Sequence, residues 1–181
     1  MLPSLHTKLS PQDAAGVRVD DELVLPYDAR ERCRLRARLA SGREAALFLV
    51  RGTVLRDGDL LTGAEGLVVR VVAAAEPTYL VRCPDPVLLA RCAFHLGNRH
   101  TQVQVGPDWL RIRVDPVFRE MLAGLGAQVS EEMAKFEPEP GAYAAGHGHG
   151  HGHEHGHGEG ARGLLAPVPL RQKIHRPGDA A

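Results

Sequence analysis

Between Gly146 and His157 the chain reads Gly-His-Gly-His-Gly-His-Gly-His-Glu-His-Gly-His, six imidazoles separated only by glycine or glutamate. No other stretch limits the fold so sharply. It has no apolar side chain to bury, and glycine maximises the entropy lost on ordering, so it cannot contribute to a core. The fold must be built from the roughly 145 residues that precede it, enough for a real core but marginal for each half if they form two small domains. What the tract can offer is neutral nitrogen donors at high local concentration. Imidazole suits late divalent metals, so His147, His149, His151, His153, His155 and His157 read as a metal-collecting tail on a disordered segment, 146–181. Three plainer readings compete. A purification tag is usually an uninterrupted histidine run at an end, whereas Gly158 to Ala181 follow here. A pH-responsive spacer would charge near the reference pKa of ~6.5, and a neutral low-complexity linker would do neither.

Lysine plus arginine and aspartate plus glutamate each number 22 in the 181 residues, giving no net charge with histidine neutral. That balance does not point to nucleic acid or an anionic membrane as partner. Cys33, Cys83 and Cys92 are odd in number and form no Cys-x-x-Cys pair, so they suggest small buried apolar residues rather than disulfides or a thiolate zinc site. Neither a signal peptide nor an apolar run of the ~18 residues needed to span a membrane is visible, and a cytoplasmic location is expected.

From Leu23 to Ala75 the pattern is mostly period two. Cys33, Leu35, Ala37 and Leu39 alternate with Arg32, Arg34, Arg36 and Arg38, which predicts a half-buried strand with a basic face; the arginines serve as a solvated face or as a docking strip for an acidic partner. Strands are also expected over Ala45–Val50 and Leu67–Val72, with turns at Ser41-Gly42 and Asp57-Gly58-Asp59. Residues 1–75 therefore read as a small β-rich unit, sandwich- or barrel-like.

After Glu76-Pro77 the pattern changes. Thr78–Arg82 predicts a strand, and Asp85-Pro86 opens a helix with an N-cap acceptor and a proline at its first position. Leu88, Leu89, Cys92, Ala93 and Leu96 give that helix an apolar stripe, with Gly97 as its stop. Two strands follow, in which Val103, Val105, Leu110, Ile112 and Val114 are expected on the inner face and Gln102, Gln104, Arg111 and Arg113 on the other. Asp115-Pro116 repeats the helix start; Phe118, Met121, Leu122 and Leu125 line the second helix, and Ala127–Ala134 supplies a last strand. Strand–helix–strand–strand–helix–strand is the ferredoxin-like plan, assigned to residues 76–145, so the whole reads as an α+β protein.

His95 falls in the last turn of the first helix, where a cationic imidazole suits the helix dipole, and His100 lies beyond Gly97-Asn98 at the mouth of the next strand. His100 has no packing task there, so it reads equally as an exposed histidine or a metal ligand. One imidazole holds a transition metal poorly; two copies of His100 across a homodimer axis, joined by tail imidazoles, would do better. Phosphate-loop, His-Glu-x-x-His and Gly-x-Ser-x-Gly motifs are absent, and Glu131, Glu132, Glu137 and Glu139 read as solvated, so no catalysis is expected.

The motif His95-Leu-Gly-Asn-Arg-His100, and Phe136-Glu-Pro-Glu-Pro-Gly-Ala-Tyr143 leading into a His-rich tail, resemble the urease accessory protein E (UreE) family of nickel metallochaperones. Arg56-Asp-Gly-Asp-Leu-Leu61 and Val72-Ala-Ala-Ala-Glu-Pro77 are similar to its N-terminal half, so the resemblance covers nearly all of residues 5–157. It implies a cytoplasmic homodimer that carries Ni(II) to apo-urease together with the urease-associated GTPase. It also implies that His100 of both protomers forms an interfacial site completed by tail histidines, and that the N-terminal half is a protein-docking module. Some members carry a histidine pair where this chain has Val114 and Pro116, so that auxiliary site is expected to be missing. Imidazole donors also suit Zn(II) and Cu(II), and nickel rests on the resemblance alone. The alternative reading is a Ni, Zn or Cu storage protein acting through its tail.

Overall fold

Two short strands that sequence periodicity does not reveal, β1 (Ser4–Leu5) and β2 (Thr7–Lys8), start the computed structural model, which describes residues 2–140. They are followed by β3 (Asp21–Leu25), the four-residue helix α1 (Tyr27–Arg30), β4 (Arg34–Arg38), β5 (Glu44–Phe48), β6 (Leu60–Thr62) and β7 (Val68–Ala73). The chain passes from one sheet to another at His6: β1 joins a three-stranded sheet ordered β1-β5-β4, and β2 joins a four-stranded sheet ordered β2-β6-β7-β3. The β1–β5 and β3–β7 pairs are parallel and the rest antiparallel. Leu5, Leu23, Leu47, Leu61, Val69 and Val71 fill the space between the sheets, each at most 1% exposed, so this region is the expected β-rich unit. Gly63 allows the close approach of β1 to the turn after β6, because a Cβ there would lie 1.7 Å from the Ser4 carbonyl oxygen. On β4 the expected alternation holds: Arg34, Arg36 and Arg38 are exposed, and Leu35 and Ala37 pack against the core.

The second half comprises β8 (Ala75–Arg82), α2 (Pro86–Gly97), β9 (Gln104–Val105), β10 (Trp109–Arg113), α3 (Pro116–Gly124) and β11 (Gln128–Lys135). Its sheet runs β11-β8-β10-β9 with every pair antiparallel, which is the ferredoxin-like arrangement. Both helices start as the sequence predicts. The Asp85 carboxylate accepts from Leu88 N (2.9 Å), and that of Asp115 accepts from Val117 N and Phe118 N, with proline at the first helical position in each. Leu88, Cys92 and Leu96 of α2 and Leu122 of α3 pack on Leu110 and Ile112 of the sheet.

Three sequence expectations need correction. Val105 sits opposite Leu110 in register, yet it is 47% exposed, and Val114 is 43% exposed. Strand β9 is only two residues long and forms the sheet edge, and Val114 lies beyond the end of β10, so neither reaches the core. Glu132 and Glu137 are not left to solvent: Glu132 pairs with Arg111 (2.7 Å), and Glu137 pairs with Arg30 and Arg56. Cys83 and Cys92 are buried as expected, whereas Cys33 is only partly so.

The junction between the halves is polar as well as apolar. Tyr27 meets Phe136 edge-on with ring centroids 5.4 Å apart, and its N–H donates to the Glu76 carboxylate at 2.8 Å. Lys135 Nζ lies 2.8 Å from Asp57, and this hydrogen bond, with one from Ala73 N, holds the Asp57 carboxyl below its ordinary value of 3.8. Residues 141–181, which carry the expected metal-collecting tail, lie outside the described residues.

Candidate metal-capture site

Helix α2 ends in overlapping short turns. Asn98 N donates to Phe94 O, Arg99 N to Leu96 O and His100 N to Gly97 O, all within 3.0 Å. The sequence suggested that Gly97 would supply the left-handed residue closing the helix. Instead Gly97 remains helical, and His100 takes that conformation, at φ +53°, alone among the non-glycine described residues. Histidine tolerates this region better than most residues, and a residue placed there leaves the helix axis abruptly. The imidazole of His100 is accordingly exposed at the start of the segment leading to β9.

His100 lines a shallow groove of about 410 Å³ with Ala93, Gly97, Val103, Val105 and Glu139. The groove is mostly apolar, and Phe94, 64% exposed, extends the uncovered apolar surface along α2. His95 is not part of the groove wall. It is half-buried against the edge of the Phe94 ring at 5.5 Å, and its carbonyl accepts from Arg99 Nη1 at 2.9 Å.

Glu139 was read from the sequence as a solvated carboxylate among prolines, and its place beside His100 was missed. Its N–H donates to Val103 O at 2.9 Å, which ties the exit segment to the strand that follows the His100 turn. No spacing rule links positions 39 residues apart, so only the fold brings them together. Among the described residues, no group of three or more His, Cys, Asp or Glu side chains converges as a metal site. His147, His149, His151, His153, His155 and His157 lie outside the described residues.

The UreE urease accessory protein N-terminal domain model matches residues 4–74, and the C-terminal domain model matches residues 76–160. The urease accessory protein UreE of Janthinobacterium sp. (strain Marseille) is 58% identical over 178 residues, 98% of each chain. The chain belongs to the UreE family of urease accessory proteins. The UreE of Nitrosospira multiformis is 56% identical over 97% of each chain. That of Burkholderia orbicola is 52% identical over 124 residues, 68% of this chain and 61% of its own. In this member of the UreE family, the His100 turn, the groove and the exit segment all fall within the C-terminal family match. Among the described residues, no helix is long and apolar enough to cross a membrane.

Proposed function

We propose that this chain is a non-enzymatic nickel metallochaperone that delivers Ni(II) to apo-urease during assembly of the urease metallocentre. The observation that carries this reading is His100, an exposed imidazole held on a left-handed turn at the rim of an apolar groove, in a member of the UreE family. One imidazole is too few for a transition metal, and an uncovered apolar rim suits a second copy of the same surface. In this reading His100 of two protomers holds the ion as cargo, and His147, His149, His151, His153, His155 and His157 add further donors. Residues 76–145 form the metal-binding domain, residues 1–75 a docking domain, and 146–181 the tail. The partners are the urease-associated GTPase and the apo-urease accessory complex, in the cytoplasm. Donor chemistry ranks Cu(II) above Ni(II), and membership of a urease accessory family supports reading the ion as nickel.

Three chains titrated with Ni(II) test the proposal: the full chain, a chain ending at Ala145, and His100→Ala. Truncation is expected to lower stoichiometry and moderately weaken the tightest site, and His100→Ala to remove that site. Normal first-ion binding by His100→Ala refutes the interfacial site. If the truncated chain binds essentially no metal, the storage reading replaces it. Metal is expected to leave as pH falls through roughly 6 to 7, because imidazole must be neutral to ligate. A binding isotherm unchanged over that range rules out imidazole donors.

A further inference from the structure

Strand β4 is the free edge of the sheet ordered β1-β5-β4. Leu39 N donates to Arg43 O at 2.8 Å and Leu49 N to Cys33 O at 2.7 Å, so the odd-numbered residues from 33 to 39 aim their backbone groups at β5. The N–H and C=O groups of Arg34, Arg36 and Arg38 therefore point outward, and among the described residues none of these groups has a partner. The open run ends at Ala40, whose N–H donates to Glu22 O at 2.8 Å. The same three arginines are exposed, and none has a carboxylate within ion-pair distance among the described residues. Across the ladder Arg34 faces Phe48 and Arg36 faces Ala46; only Arg38 has an acid, Glu44, opposite it. Phe48 is 53% exposed, and with Leu2, Arg34, Arg36 and Ala46 it lines a groove of about 390 Å³. Leu35 and Ala37, which project to the other face, are only partly covered by the core.

Charge on an unpaired edge protects it, and here the arginines repel a second copy of the same basic strand. Protection of one sign has a complement, however: an extended chain with an acid at every second position. Paired strands lie about 4.8 Å apart, and residues directly opposite each other project to the same face. Carboxylates opposite Arg34, Arg36 and Arg38 thus come within reach of the guanidinium groups. The residues between them fall beside Leu35 and Ala37, where an apolar side chain extends the cover of the core. We infer that β4 is a docking edge for an extended segment of a partner protein that alternates acidic and apolar residues, added to the three-stranded sheet as a fourth strand. Nucleic acid would answer the arginines but leave the peptide groups of the edge unmet, and the chain as a whole has no net charge to attract it. The inference deepens the docking role proposed for residues 1–75 and rests on that role, not on the nickel site at His100.

The test is fluorescence anisotropy of a labelled peptide of eight residues, alternating glutamate and valine, titrated with the full chain. Saturable binding is expected, weakened about tenfold by Arg36→Glu, which sets like charges opposite each other at an exposed position. A peptide of the same composition with its glutamates and valines in separate blocks is expected to bind about tenfold more weakly, because its charges no longer share one face. N-methylation of one alternate set of peptide amides is expected to abolish binding and of the other set to spare it, since only every second amide of an added strand faces β4. The inference is overturned if the alternating peptide does not bind, if the block peptide binds as well, or if both methylated sets behave alike. An oligonucleotide of equal charge that displaces the label as well as unlabelled peptide does also overturns it, because charge alone would then suffice. Absence of peptide binding defeats the edge alone. The docking role fails separately, if the full chain does not associate with the apo-urease accessory complex, and the metal reading through normal first-ion binding by His100→Ala.

Discussion

Replacing Glu137 by glutamine keeps the side chain's shape and one acceptor but removes the charge that faces Arg30. Three donors reach the carboxylate, from Arg30, Arg56 and the Asp57 backbone. The Asp57 backbone bond would pass from a charge-assisted one, about 1.5–3 kcal/mol, to a neutral one of about 0.5–1.5 kcal/mol, while Arg30 and Arg56 would lose their ion pair and compete for the single amide oxygen, because the glutamine NH2 cannot accept. Side-chain exposures of 24% for Glu137 and 28% for Arg56 let water recover part of that loss, whereas Arg30 at 0% recovers none. A destabilisation of about 2 kcal/mol is expected, with a fall in Tm of about 6–8 °C for a chain of this size. Urea unfolding of the chain ending at Ala145, at fixed protein concentration and with an unchanged m value, gives the number directly. The decisive comparison is the same substitution made on Arg30→Met. Without the buried cation, Glu137→Gln should cost less than about 1 kcal/mol, leaving a coupling energy of at least about 1 kcal/mol. Equal costs in the two backgrounds would refute the assignment of Glu137 as the counter-charge of Arg30.

Two further outcomes follow from packing and burial. Gly63→Ala places a Cβ against the Ser4 backbone, where no side chain can swing aside, and should destabilise the fold by more than about 2 kcal/mol, read as a lower urea midpoint. Burial pushes the Cys83 thiol from its ordinary 9.0 up to about 11, so the fold favours the neutral form. The stability this gives is full below pH 9 and lost as pH rises through 11. Alkylation of Cys83 at pH 8 should accordingly be slow in the native chain and fast in urea; equal rates would contradict its burial.

What could be read from the sequence was local. Asp85-Pro86 and Asp115-Pro116 each combine a capping carboxylate with a residue that cannot donate, and both helices begin there. The alternation of Leu110 and Ile112 with Arg111 and Arg113 is likewise realised in β10. Strands β1 and β2, two residues each, are too short to show a period, and they exist because β5 and β6 offer edges to pair with. Val105 kept its register but lost its cover, since the end of a sheet is not marked in the residues that form it. At the candidate site, His100 stands out in the sequence because no packing role explains it. Glu137 does not, because its partner Arg30 lies 107 residues away and a carboxylate in a proline-rich stretch looks like solvent-exposed linker. Burial of a charged pair is decided by the assembled fold, and nothing in the spacing of either residue announces it.

The left-handed turn at position 100 sets two demands against each other. Glycine occupies φ +53° at no steric cost, whereas a residue with a Cβ gives up about 1 kcal/mol or more there. A chain shaped for stability alone would carry glycine at 100. Under the proposed metal-binding role, histidine here exchanges some fold stability for a side chain that can take hold of something outside it. His100→Gly should therefore be the rare loss-of-function substitution that raises the melting temperature, and stabilising the protein by consensus or design at this position would disarm it.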